Sequence, residues 1–274
     1  MPCDEVKCGL AEPSASRLSA WGYGGSETGG IARVVSAHGD YFHLVCEERV
    51  DGEVLARTKA SAFRGQALPV TGDFVRFAYN PCGESRIMEI LPRFSVLERL
   101  DPSSSGFRAQ VLAVNFDTLF LVMAVNGNAS TARLDRLLAL ARASQCLSRV
   151  VVVLTKCDLL GAGTACPDFS GAGVPVLETS SRTGLGLDAV RQYVKPRKTV
   201  ALIGSSGIGK SSLVNALAGE EWMATGEIQE WSGKGRHTTT SRELVMLPCG
   251  SLLLDTPGLR ELGVLGTDGF ELKK

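Results

Sequence analysis

Net charge, long apolar runs and paired cysteines are all missing from this chain. Its 29 basic and 29 acidic residues cancel, so there is no global electrostatic signature of the kind that drives a protein onto nucleic acid or a membrane surface. The longest apolar run, Leu119–Val125, falls well short of the roughly 18 residues that suggest a membrane span. Met1–Leu10 carries Asp4, Glu5 and Lys7 among its apolar residues and lacks the apolar core of a signal peptide. None of the eight cysteines (Cys3, Cys8, Cys46, Cys82, Cys146, Cys157, Cys166, Cys249) forms a C-x-x-C pair. Cys3 and Cys8 are spaced C-x4-C, but no ligands nearby complete a metal site, and no zinc ligands are identified. Together these absences point to a cytoplasmic protein with reduced thiols, used mostly for packing. With 274 residues, 44% hydrophobic and 21% charged, the chain has room for one large globular domain or two ordinary ones.

What is present changes in texture along the chain. Residues 1–30 are rich in Ser and Gly, with little to bury, and are expected to form a flexible leader. From 31 to 97 there are five short β-like runs: Ile31–Val35, Tyr41–Val45, Val54–Arg57, Asp73–Phe77 and Arg86–Ile90. Gly39-Asp40, Asp51-Gly52, Thr71-Gly72 and Pro81-Cys-Gly83 punctuate them as turns. Five strands in so short a span fit a small OB-fold-like β-barrel, although an SH3-like barrel reads much the same.

From 98 to 274 strands alternate with helices, and the strands are continuously apolar, as in a sheet covered on both faces. Leu119–Val125, Val150–Leu154, Val176–Thr179 and Thr199–Ile203 are the expected strands. Ser130 is placed to cap a helix whose apolar face is Leu134, Leu137, Leu138 and Ala141. A short helix is expected at Leu187–Val194, another at Ser211–Ala218 stopped by Gly219, and a hairpin at Leu244–Leu247 and Leu252–Leu254. No internal repeat is visible. The expected architecture is an α/β P-loop domain preceded by a small all-β barrel.

Gly204-Ser205-Ser206-Gly207-Ile208-Gly209-Lys210-Ser211 matches G-x4-G-K-S between a strand and a helix, and Ser212 follows it. Backbone N–H groups of such a loop surround phosphates, and the helix N-terminus adds partial positive charge. Lys210 is expected to reach the β- and γ-phosphates and the Ser211 hydroxyl to ligate Mg2+. Asp255-Thr-Pro-Gly258 follows an apolar strand, where the Asp255 carboxylate can hold Mg2+ and the Gly258 N–H can sense a γ-phosphate.

Thr155-Lys156-Cys157-Asp158 also follows an apolar strand. The Asp158 carboxylate can accept both the N1–H and the 2-amino group of guanine. Adenine lacks that donor pair and would leave the acid unpaired. Lys156 is expected to pack over the base. Thr179-Ser180-Ser181, at the end of the next strand, would supply the backbone-contacting second half of a guanine pocket. Gly235-Arg-His-Thr-Thr-Thr240 lies where a switch loop belongs, and Thr239 is the expected third Mg2+ ligand, to within one position. Lys210, Thr239, Asp255 and Gly258 are thus the expected catalytic residues. Leu259 stands where signalling GTPases place the glutamine that orients the attacking water. Slow intrinsic turnover, accelerated by a partner, is the expectation, with His237 a candidate helper.

These motifs resemble the five of translation-factor-like GTPases, in the order T-K-C-D, T-S-S, P-loop, threonine cluster, D-T-P-G. In the usual G1-to-G5 nomenclature that order is G4-G5-G1-G2-G3, a circular permutation, which a doubly wound domain with neighbouring termini tolerates. Roughly residues 31–265 resemble the ribosome small-subunit-dependent GTPase A family (RsgA, also called YjeQ). The resemblance rests on Val114-Asn-Phe-Asp-Thr-Leu-Phe-Leu-Val122, Leu134-Asp-Arg-Leu-Leu-Ala139, Val151–Asp158, Gly235–Thr240 and Leu254-Asp-Thr-Pro-Gly-Leu-Arg-Glu261.

The resemblance implies GTP/GDP binding with Mg2+ and a late assembly factor of the 30S subunit. It also implies a barrel that contacts 16S rRNA and a GTPase stimulated by the small subunit; we expect a monomer. Residues 31–110 hold ten Arg/Lys and ten Asp/Glu, so RNA contact would need a local patch such as Arg57, Lys59 and Arg64. Members of the family carry a zinc-binding Cys-x4-Cys-x-His…Cys segment after the G domain, and no such cluster occurs before Lys274. Two other readings compete: an RNA-binding barrel with a nucleotide-sensing, barely hydrolytic G domain, and a P-loop ATPase or kinase.

Overall fold

The computed structural model describes residues 30–46, 53–59, 61–64, 66–100, 109–126, 129–143, 149–161, 163–205, 207–219 and 243–255. Five strands open the described chain: β1 (Ile31–His38), β2 (Tyr41–Cys46), β3 (Val54–Thr58), β4 (Phe74–Ala78) and β5 (Ser85–Ile90). Their pairing runs β1-β2-β3-β5-β4 and returns to β1, so the sheet closes on itself. All pairs are antiparallel except β3–β5. That closure, with its one parallel pair, is the OB-fold arrangement. It removes the edges that an open five-stranded sheet would expose. Alternation supplies the interior: Phe42 and Leu44 of β2, Val54 and Ala56 of β3, and Val75 and Phe77 beside Ile87 are buried.

A hairpin of β6 (Val96–Leu100) and β7 (Ala109–Val114) follows the barrel and was not foreseen from the sequence. It leads into β8 (Thr118–Ala124), α1 (Thr131–Ala143), β9 (Arg149–Thr155), β10 (Val176–Glu178), α2 (Leu187–Arg191), β11 (Thr199–Ile203), α3 (Lys210–Ala218), β12 (Glu243–Met246) and β13 (Leu252–Asp255). The strand order is β10-β9-β8-β11-β13-β12, parallel except for the β12–β13 hairpin. All seven residues of β8 and all five of β11 are buried, as continuous apolar strands sandwiched between layers should be. Leu134, Leu137, Leu138 and Ala141 of α1 pack on one face of the sheet; Leu187, Val190, Leu213 and Val214 of α2 and α3 pack on the other. Full burial of each large aliphatic side chain contributes about 1.5–3 kcal/mol.

α2 is shorter than expected, ending at Arg191, because the chain beyond it tightens into i→i−3 turns, the Tyr193 and Val194 N–H groups donating to the Val190 and Arg191 carbonyls at 3.0 and 3.2 Å. Ser130 caps α1 as expected, its hydroxyl accepting the Arg133 N–H at 3.3 Å. Gly219 closes α3, its N–H donating to the Asn215 carbonyl at 3.0 Å. Among the described residues no helix is long and apolar enough to cross a membrane.

The barrel is stitched to the α/β sheet by polar contacts as well as by one β1–β12 pairing, Ser36 opposite Glu243. Arg33, buried within β1, donates to the Asn115 carbonyl at 2.9 Å and lies over the Phe74 ring. The Asn115 amide donates to the Gly72 carbonyl and its Oδ1 accepts the Phe94 N–H, both at 3.1 Å. Asp117 accepts from Lys198 Nζ and from the Thr199 N–H, both at 2.9 Å, fixing the start of β11. These bonds give Val114-Asn-Phe-Asp117 a role at the junction of barrel and sheet.

Candidate nucleotide site

In an open α/β sheet ligands bind beyond the C-terminal ends of the parallel strands, where the winding reverses. Here the chain adds β9 and β10 to one side of β8, then crosses to place β11 on the other. The reversal therefore falls between β8 and β11. The loops that leave β9, β10 and β11 at that edge are T-K-C-D, T-S-S and the P-loop.

The phosphate loop is shaped by two of its glycines. Gly204 follows β11 so tightly that a Cβ there would lie 2.7 Å from the Val122 carbonyl oxygen and collide with Ile208. Gly209, at φ 96°, takes the left-handed turn that starts α3. Ile208 is buried and anchors the loop, whereas Gly207 is exposed. Lys210 Nζ folds back to donate to the Gly204 and Ser205 carbonyls at 2.6 and 2.5 Å. Ser211 and Ser212 are half-buried in the first turn of α3.

The base side is joined to this loop directly. Thr155, buried at the end of β9, lies with its hydroxyl 2.5 Å from the Ile208 carbonyl and 3.2 Å from that of Met123. Lys156, at φ 62°, turns so that Nζ donates to the Gly207 carbonyl at 2.7 Å. Asp158 sits in a single 3-10 turn, Cys157–Leu159. Its Oδ1 accepts the hydroxyl of buried Ser180 at 2.7 Å. The Cys157 N–H donates to the Thr179 carbonyl at 3.1 Å, and the Thr179 hydroxyl donates to the Leu154 carbonyl at 2.8 Å. Ser181 is half-buried next to Ser180. T-K-C-D and T-S-S thus form one hydrogen-bonded unit.

Of the remaining expected residues, Asp255 is the last residue of β13, whose Leu254 pairs with Ala201 of β11. Its backbone therefore ends at the edge where the P-loop begins. Ser206, Thr239 and Gly258, with His237 and Leu259, lie outside the described residues. The sequence reading missed two neighbours. Cys166 approaches Cys157 with sulfurs 3.3 Å apart. Burial, then the Cys157 thiol and the Glu178 carboxylate, push the Cys166 thiol up to about 12, so it stays protonated at neutral pH and packs behind the base loop. Arg133, the third residue of α1, donates from Nη2 to the Ser205 hydroxyl. Neither has a motif spacing that would have disclosed it.

A P-loop and a T-K-x-D loop at the switch point of a doubly wound sheet, with the base motif earlier in the chain than the phosphate motif, define a circularly permuted GTPase fold. The RsgA GTPase family profile matches residues 90–265. The chain belongs to that family and is a GTP-hydrolysing enzyme. It is 36% identical over 249 residues to small ribosomal subunit biogenesis GTPase RsgA 2 of Lactiplantibacillus plantarum, covering 87% of this chain and 68% of that protein. It is 40% identical over 248 residues to the protein of that function, RsgA, from Methanosarcina acetivorans, covering 88% and 65%. The chain thus spans about two thirds of each relative's length.

The crystal structure of YjeQ from Thermotoga maritima superposes with a TM-score of 0.59 at 26% identity, covering 84% of this chain and 74% of that one. The structure of YloQ, described as a circularly permuted GTPase, has a TM-score of 0.56 at 22% identity over 86% of this chain and 73% of its own, and supports the fold alone.

Proposed function

We propose that this enzyme binds GTP with Mg2+ at the β9–β10–β11 edge and that its turnover serves maturation of the small ribosomal subunit. The observation that carries the site is the direct link between its halves: Thr155 on the Ile208 carbonyl and Lys156 on the Gly207 carbonyl. A carboxylate suited to guanine is thereby held at a fixed span from the phosphate loop. Asp158 keeps acceptor capacity beyond its bond to Ser180 and can take both guanine donors. Gly204, Ser205, Gly207, Ile208 and Gly209, with Ser206 as the motif's remaining position, would present backbone to the phosphates, Lys210 would leave its own loop for them, and Ser212 continues the first turn.

The Mg2+ ion would be held by Ser211, Asp255 and Thr239. Ser211 fits that role: it is half-buried next to Lys210, and no described residue takes its hydroxyl. When bound, the ion would neutralise charge on the nucleotide's phosphates. Gly258 would report the γ-phosphate. The division at residue 97, between barrel and permuted G domain, follows the closure of the five-stranded sheet at Ile90 and leaves the β6–β7 hairpin across the junction.

Action on the small ribosomal subunit fits the names its relatives carry, and the protein is proposed to act there as a cytoplasmic monomer. On the barrel, Arg57 lies over the Tyr41 ring with Asp40 and Glu84 3.7 and 3.8 Å away, while Lys59 and Arg64 are exposed. Lys59 and Arg64 are therefore the freer cations of the proposed rRNA patch.

Single-turnover hydrolysis of labelled GTP, with and without purified 30S subunits, tests the assignment. The rate should rise when subunits are added, and ATP should not compete. An unchanged rate with 30S subunits contradicts the ribosomal partner and leaves the GTPase in place.

A further inference from the structure

Two cations from different elements converge on one residue of the phosphate loop. Lys210 Nζ donates to the Ser205 carbonyl at 2.5 Å, and Arg133 Nη2 donates to the Ser205 hydroxyl. Arg133 arrives there because α1 leaves the end of β8, the strand paired directly with β11. Its guanidinium is half-buried, and among the described residues no carboxylate lies within ion-pair distance of it. Burial, and then the charge of Arg136, lower its pKa.

A partly desolvated guanidinium that has no counter-ion among the described residues, and rests on the same loop residue that Lys210 reaches, is poorly stabilised in the free protein. It interacts strongly with an anion that reaches the loop beside Ser205. Guanidinium geometry also suits two oxygens of one phosphate.

We propose that Arg133 is a phosphate-facing cation of the loaded site, contacting the terminal phosphoryl group of GTP and stabilising its transfer to water. The inference rests on the assignment of this site to GTP hydrolysis. In that reaction a water oxygen bonds to the γ-phosphorus and gives its proton to solvent. The bond from that phosphorus to the β–γ bridging oxygen breaks, and the bond's electron pair stays on GDP. Arg133 has donors and no acceptor, so it neutralises charge on the transferring group and leaves water orientation to another residue or partner. It therefore complements Leu259 without replacing the absent glutamine.

The test compares wild type with Arg133→Ala, Arg133→Gln and Arg133→Lys, reading GDP affinity, GTP affinity and the single-turnover rate separately. The Ala and Gln variants should hydrolyse GTP about tenfold to hundredfold more slowly, with GDP affinity nearly unchanged. Lys should retain part of the rate, and added guanidinium ion should restore part of the Ala variant's. The Gln variant can keep a neutral hydrogen bond to Ser205, so it decides the matter should Ala fail to fold. A wild-type rate in Gln, or equal losses of GDP and GTP affinity, would make Arg133 a strut of the loop and overturn the proposal. A wild-type protein that never hydrolyses GTP would instead overturn the reading of the site.

Discussion

The base half and the phosphate half of the nucleotide site differ in how complete they are without a ligand. On the base side, Asp158, Ser180, Thr179 and Cys157 already hold one another through hydrogen bonds of 2.7 to 3.1 Å. On the phosphate side, Lys210 and Arg133 rest on oxygens of the loop itself, which triphosphate oxygens would have to replace. On the proposed assignment, base selection rests on groups already bonded to one another, so little ordering cost would remain when guanine arrives. Phosphate recognition is an exchange of partners, so it depends on charge.

Removing a charge should therefore do more damage than removing a hydroxyl. The largest effect is expected for Lys210→Ala, which should slow single-turnover GTP hydrolysis by roughly a hundredfold or more and weaken GTP more than GDP. Ser180→Ala removes a donor to a carboxylate, a bond of about 1.5 kcal/mol, and should weaken GDP and GTP alike by about tenfold. Equilibrium titration distinguishes the two patterns, and a Ser180 variant that lost GTP alone would break the comparison. The smallest effect is expected for Thr155→Val, which removes one of the two ties between the halves and leaves Lys156 on the Gly207 carbonyl. About 1 kcal/mol of thermal stability should go with it, leaving the hydrolysis rate close to wild type.

The sequence disclosed those parts of the molecule whose physics is local. Thr199–Ile203 reads as a buried strand because five apolar-compatible residues run into G-x4-G-K-S, and the structure has β11 at those same residues. The five barrel strands were legible from alternation and turn residues, and their closure chose the OB arrangement over an SH3-like one. The β6–β7 hairpin was not legible. Glu98 and Arg99 interrupt β6, a register shift falls between Leu97 and Glu98, and what identifies the strand is its pairing with β7. Motif spacing singled out Thr155, Asp158, Ser180 and Lys210, yet it could not show that Thr155 and Lys156, at the end of β9 and just after it, hold the P-loop backbone. Arg133 and Cys166 were invisible for the same reason, since each contact is made in space between elements that no motif links.

The central claim is that Asp158 selects guanine, and nucleotide binding to Asp158→Asn tests it most directly. Xanthine carries a carbonyl where guanine carries the 2-amino group, so an asparagine amide can donate to it. The variant should bind GDP roughly a hundredfold more weakly than wild type does and prefer xanthosine diphosphate. A variant that binds GDP as wild type does, with ATP still rejected, would contradict the account.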